Sequence, residues 1–153
     1  MTLCVRRNNL RHELTVANLT EFRERFKTFH DGLVHQVDIN LYRVTTPKAN
    51  IRIELEARDF VLSDKGQWVK LVFEVEDVTK YVLHQERNYN LTVISRLNVG
   101  IFDNEIFFDF EPYDYEPQSA ADFELRPFVP KAMFLIIGER CFWYIKEILE
   151  PAT

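Results

Sequence analysis

The segment Ile51-Arg52-Ile53-Glu54-Leu55-Glu56-Ala57-Arg58 alternates apolar and charged residues without a break. Successive side chains of an extended chain point to opposite faces, so a period of two reads as a strand with one dry and one wet face. Val69-Lys70-Leu71-Val72-Phe73-Glu74-Val75-Glu76 repeats the pattern, with Val72 the one apolar residue on the polar side. From Leu33 to Leu41 the odd positions are Leu33, His35, Val37, Ile39 and Leu41, interleaved with Gln36, Asp38 and Asn40. Three such segments predict an antiparallel sheet solvated on one side. There is no strand–helix–strand rhythm, which argues against a parallel doubly wound fold.

Ahead of these strands, Asn18-Leu19-Thr20-Glu21 has the form of a helix-capping box. Leu19, Phe22, Phe26 and Phe29 then recur three and four apart, one apolar stripe, while Arg23, Glu24, Arg25 and Lys27 fill the other side. His30-Asp31-Gly32 is expected to end this helix, with Gly32 in the left-handed position beyond its C-terminus.

The later segments are apolar on both faces. One strand is expected to begin at Leu91-Thr92-Val93-Ile94 and run toward Ile101-Phe102. Asp103-Asn104 forms a tight turn into Glu105-Ile106-Phe107-Phe108-Asp109-Phe110, since Asp and Asn tolerate positive φ. Met133-Phe134-Leu135-Ile136-Ile137 and Cys141-Phe142-Trp143-Tyr144-Ile145 flank Gly138-Glu139-Arg140, which reads as a second hairpin. The expected fold is therefore α+β, mostly antiparallel sheet in a sandwich or curved half-barrel, with one amphipathic N-terminal helix. The 153 residues read as a single domain, able to bury roughly 70% of the unfolded surface. Thirteen Phe reinforce the leaning toward sheet.

Charge is unevenly spread. Residues 1–90 hold 14 Lys and Arg against 13 Asp and Glu, whereas residues 91–153 hold 5 against 11, for a net charge of −5. An acidic chain argues against a nucleic-acid partner. No apolar run approaches the ~20 residues of a membrane helix, and Met1 to Arg7 has no signal-like apolar core, so a cytoplasmic protein without membrane association is expected. Cys4 and Cys141 are too few for a disulfide framework, and Cys141 beside Phe142 and Trp143 reads as buried and reduced.

The sequence lacks a nucleophile elbow, a Cys-x-x-Cys pair, a phosphate-binding Gly-rich loop and a zincin helix. No catalytic residue, metal site or cofactor is expected. His30, Asp31 and His35 could orient a base or ligand. The blander reading gives His30 to a helix end and His35 to the core. Asp109 and Glu111 could flank a glycosidic bond, yet paired acids on a sheet face are commonly just solvated.

The distinctive feature is Phe102 to Glu124, eight carboxylates with no Lys or Arg among them and seven interleaved aromatics. Carboxylates draw in a basic partner, and tyrosines at the centre of such a patch are typical anchors. The stretch divides. Through Phe110 it reads as a core hairpin whose acids point outward. From Pro112 onward it reads as a loop, and Tyr113, Asp114, Tyr115, Glu116, Asp122 and Glu124 are the expected partner-binding residues.

Phe29-His30-Asp31-Gly32 leading into Leu33-Val34-His35-Gln36-Val37-Asp38-Ile39, with the later Val69-Lys70-Leu71-Val72-Phe73-Glu74-Val75, resembles small bacterial immunity-type domains of polymorphic toxin loci. The resemblance covers residues 29–78. It implies a cytoplasmic, non-enzymatic protein that neutralises a cognate toxin by binding it. Two other readings remain: a ligand-binding or hydrolytic β domain with a pocket at Trp68, Tyr81 or Trp143, and a homo-oligomer built through the apolar late strands.

Overall fold

The alternating segments become the centre of one curled sheet. The computed structural model describes residues 10–42, 48–83, 92–94, 96–110 and 134–149. In chain order the elements are β1 (His12–Glu13), α1 (Leu19–Phe26), β2 (Gly32–Tyr42), β3 (Lys48–Asp59), β4 (Gln67–Leu83), β5 (Val93–Ile94), β6 (Asn98–Phe102), β7 (Glu105–Asp109) and β8 (Phe134–Ile148). The strands are ordered β5-β2-β3-β4-β8-β7-β6, with β1 also paired to β8, and every pairing is antiparallel. The sheet curls into a half-barrel that carries, among the described residues, one short helix, so the α+β, mostly antiparallel expectation holds.

Alternation sets the two faces. Ile51, Ile53, Leu55 and Ala57 of β3 and Val69, Leu71, Phe73 and Val75 of β4 all turn to the concave side and are fully buried. Helix α1 lies in that concavity. Its Phe22 and Phe26, with Phe29 just beyond, pack on Phe73 and Trp143 at ring separations of 5.4 to 6.1 Å. Such aromatic pairs add about 0.5–1.5 kcal/mol each beyond the area they bury. A buried ion pair anchors the helix from outside. Asp59 is wholly buried and accepts from Arg25 Nη2 at 2.6 Å, Arg25 Nε at 3.0 Å and the backbone N–H of Val61 at 3.0 Å.

The two outermost strands, β5 and β6, lie only a few residues apart in sequence. β5 pairs with β2 and β6 with β7, yet a chain running from Ile94 to Asn98 can span at most about 14 Å. The opposite edges of the sheet therefore approach one another, which is what curls it. The segment after α1 stitches the seam: Asp31 N–H donates to Ile94 O at 3.0 Å, and Leu97 N–H to Thr28 O at 2.9 Å. Arg23 Nε donates to Val99 O at 2.7 Å. A single expected strand through Leu91–Phe102 is thus two strands on opposite edges.

Four further expectations are corrected. Gly138-Glu139-Arg140 makes no hairpin, because β8 runs unbroken from Phe134 to Ile148 along β4. Gly138 is required by close approach instead: a Cβ there would meet Val75 Cγ1 at 2.5 Å and Glu76 O at 3.0 Å. Helix α1 stops at Phe26, and the positive φ values beyond it fall on Lys27, Phe29 and Asp31 rather than on Gly32. Asn18 does not cap through its side chain; its Oδ1 accepts from Thr15 N–H at 2.8 Å and its Nδ2 donates to Glu13 O at 2.8 Å. His35 is not a core residue. A β-bulge between Val34 and Gln36 shifts the phase of β2, so Val34 faces Leu55, Val37 faces Ile53, and His35 turns outward to Glu56.

Candidate functional site

The bulge in β2 brings the polar side chains of four strands onto one convex face in register. Asp38, Arg52, Glu74 and Phe142 stand side by side across β2, β3, β4 and β8, and Glu13 of β1 extends the row. The next row is Gln36, Glu54, Val72 and Tyr144, followed by Leu33, Glu56, Lys70 and Glu147. Cross-strand neighbours on one face stand within side-chain contact distance, so these rows set which charges meet.

Glu54 is the centre. It is 7% exposed, and Lys146 Nζ donates to both its oxygens at 2.9 and 3.0 Å, with Arg52 Nη2 at 3.3 Å. The hydrogen bond from Lys146 is the main cause that holds the Glu54 carboxyl below the usual range; burial opposes it. The Arg52 guanidinium is raised, chiefly by its hydrogen bond with Tyr144. A carboxylate held ionised beside two cations is a poor proton donor or acceptor near neutral pH. The arrangement therefore presents a fixed charge lattice rather than an acid–base pair.

Aromatic rings on the same face are stacked by cations. Arg11 Cζ lies 3.7 Å from the Phe142 ring centroid and Arg140 Cζ 4.8 Å from it. Arg140 is tied to Glu13 at 3.0 Å and Arg11 to Glu76 at 3.1 Å. At the far end Arg58 lies 5.4 Å from the Trp68 ring and reaches Asp31 at 3.1 Å. Exposed pairs of this kind contribute little singly, but together they fix the side chains, so a partner meets an ordered surface.

The expected partner-binding residues Tyr113, Asp114, Tyr115, Glu116, Asp122 and Glu124 lie outside the described residues. The first part of the acidic stretch does form the expected hairpin, with Asp103 and Asn104 at φ 49 and 63. One of its acids departs from expectation: Asp109 is 1% exposed, because β7 is buried on both faces. Of the other flagged residues, His30 contacts Asp31 at 3.1 Å and His35 contacts Glu56 at 2.9 Å, and both histidines are exposed. Trp143 lines a small hollow with His12, on which it stacks at 4.6 Å, and with Glu21 and Arg25. Trp68 and Tyr81 are not in that hollow. Cys141 is buried as a free thiol, and desolvation pushes its pKa well up. Among the described residues no three His, Cys, Asp or Glu side chains are grouped to hold a metal, and no helix is long and apolar enough to cross a membrane.

Sequence reading missed Arg52, Glu54, Phe142, Tyr144 and Lys146 as a group. Alternation placed them on a face, but only strand order and register bring them together. No family profile matches the chain, no curated protein is similar to it, and no solved structure matches its fold.

Proposed function

We propose that this protein is a non-catalytic binding module of the immunity or inhibitor kind, docking a basic protein partner such as a toxin. The observation that carries the reading is the convex face on which Phe142, Tyr144 and Trp68 are held by arginines and carboxylates in register. Aromatic and arginine side chains are the commonest energetic anchors of protein interfaces, and pre-ordering them lowers the entropy lost on docking. Cations and carboxylates nearly balance on the face itself. The preference for a basic partner comes from the net charge of −5 and the acidic excess of residues 91–153, which steer encounter over a longer range.

The test pairs this chain with the products of the genes adjacent to its own. Co-expression is expected to restore growth arrested by one of them, and calorimetry to give a one-to-one complex. Phe142→Ala with Tyr144→Ala is expected to weaken that complex by at least tenfold. Tyr113→Ala with Tyr115→Ala tests the acidic stretch in the same assay. If no neighbouring product associates, or if neither double variant changes the affinity, the reading fails.

A further inference from the structure

β2 is an edge strand along most of its length. β5 pairs with Gly32 and Leu33, and Thr92 O accepts the Val34 N–H at 2.7 Å. Beyond that point, among the described residues, nothing pairs with the outer edge of β2 over residues 36–42, a run of about 20 Å. A bare strand edge is a template for another strand, and proteins usually blunt it with lysine, proline or a bulge. Other stretches with one flank open among the described residues follow that rule. Residues 144–148 of β8 include Lys146 and Glu147, and residues 79–83 of β4 include Lys80. Residues 36–42 hold no lysine, arginine or proline, and the bulge of β2 lies ahead of them, between Val34 and Gln36. Their one charge, Asp38, is already met by Gln36 Nε2 at 3.0 Å and Arg52 Nη1 at 3.8 Å.

The register fixes which main-chain groups face outward. Leu149 N–H donates to Trp68 O at 2.9 Å, so the main-chain groups of Trp68 face β8 and those of Val69 face β3. Carried across the pairs, Val69 answers Ala57, while Glu54, Arg52 and Asn50 turn to Gln36, Asp38 and Asn40. Val37, Ile39 and Leu41 therefore present N–H and C=O to the outside. By alternation their side chains share the concave side with Ile53 and Ile51, whereas Asp38, Asn40 and Tyr42 share the convex side with Arg52.

We infer that this edge pairs with the same edge of a second copy of the chain, antiparallel about a twofold axis through Ile39. In that register Ile39 meets Ile39 of the second copy, Val37 meets its Leu41, Asp38 its Asn40 and Gln36 its Tyr42. All the outward-facing residues find partners, for about six main-chain hydrogen bonds. Leu41, 72% exposed in the single chain, gains an apolar neighbour. Asp38 gains an amide donor rather than a like charge. Moving the axis to Asp38 would set two carboxylates opposite each other, and moving it to Asn40 would leave Val37 unpaired. The pairing sets both convex faces on the same side of one continuous sheet. An edge contact of this kind buries less than about 1,200 Å², so the dimer exchanges readily with the monomer.

Sedimentation velocity of the full chain over a wide concentration range is expected to show a reversible monomer–dimer equilibrium. Leu41→Pro removes an outward N–H without touching the pairing to β3, and the twofold axis doubles its effect. The dissociation constant should rise more than about tenfold. Asn40→Asp sets a carboxylate opposite Asp38 and should raise it roughly fivefold, whereas Asn40→Lys should leave it unchanged or lower it. Thermal melting at low concentration checks that each variant folds. A chain that stays monomeric throughout overturns the inference, and slow exchange of the Val37, Ile39 and Leu41 amides in that monomer would assign the edge to another segment of the same chain. Growth beyond two copies overturns the twofold closure. A dimer insensitive to Leu41→Pro places the contact elsewhere, and Asn40→Lys weakening it as much as Asn40→Asp overturns the register.

Discussion

β3 and β7 belong to one sheet but treat neighbouring side chains in opposite ways. In β3, Ile53 and Leu55 are fully buried while Arg52 and Glu56 on either side of them reach the convex face. In β7, Ile106, Phe107, Phe108 and Asp109 are all buried in succession. Phe108 joins the main core, and Phe107 joins a separate cluster with Leu135 and Ile137 on the other face. The contrast shows two ways of fixing register. A one-residue slip in β3 would drive four apolar side chains into water and two carboxylates into the core. β7 has no such penalty, so its register must be set by the Asp103-Asn104 turn and by the fit of Phe107 over Gly100, its cross-strand partner.

The largest expected effect tests the two-sidedness of β7 directly. Phe108→Ala and Phe107→Ala should each lower unfolding free energy by about 3–5 kcal/mol, since either leaves a cavity in a dry cluster. The matched pair in β3 should split: Ile53→Ala costs about 2–5 kcal/mol, and Arg52→Ala under about 1 kcal/mol. Urea denaturation measures all four. A near-neutral Phe107→Ala would mean that the second face of β7 is wet, and the contrast would collapse.

Gly138 marks where the two regimes meet on β8. It pairs with Val78 of β4 on one side and with Ile106 of β7 on the other. Gly138→Ala should destabilise by about 1–3 kcal/mol, because the added methyl meets Val75 Cγ1 and the Glu76 carbonyl. The same substitution at an open turn would be nearly silent, so a small effect here would show that β8 can shift at this point.

What the sequence made legible follows the same division. The buried face of β3 and β4 was readable over residues 51–57 and 69–75, since strict alternation leaves one workable assignment of faces, although the strands extend further, over Lys48–Asp59 and Gln67–Leu83. The positions around Gly138 were misread as a turn because Gly-Glu-Arg between apolar runs is local turn chemistry, whereas the glycine answers to a strand distant in sequence. His35 was misplaced for a related reason: a bulge adds a residue to one strand, and no local pattern announces it. The convex lattice was legible only as a list of polar residues. That Glu54 meets Lys146, 92 positions away, depends on strand order, which periodicity does not carry.

A smaller effect separates the wet face of β3 by its pH dependence. The folded-state pKa of Glu54 is depressed, so its ionic contacts stabilise the fold above the unfolded value, about 4.5. As pH falls through the folded value, the unfolded chain takes the proton more readily and the contribution disappears. Lys146→Met removes the main cause of the depression. It should cost up to about 1 kcal/mol at neutral pH, discounted because Lys146 is half-exposed, and nothing measurable well below pH 4. A cost independent of pH would assign the loss to packing of the lysine stem instead.

The smallest change addresses what holds β7 in register. Both central turn residues have positive φ, Asp103 at 49 and Asn104 at 63, and Asp-Gly is a favoured sequence for such a turn. Asn104→Gly removes the side chain from the left-handed region but adds freedom to the unfolded chain, so the net gain should be only about 0.5 kcal/mol. Hydrogen exchange is the sharper readout than melting. If the turn sets the β6–β7 register, amides of Val99 to Ile101 and Ile106 to Phe108 should exchange more slowly in the variant, while those of β3 keep their rates. Uniform slowing across both regions would mean that β6 and β7 open only with the whole sheet, and that their register is held by β8 rather than by the turn.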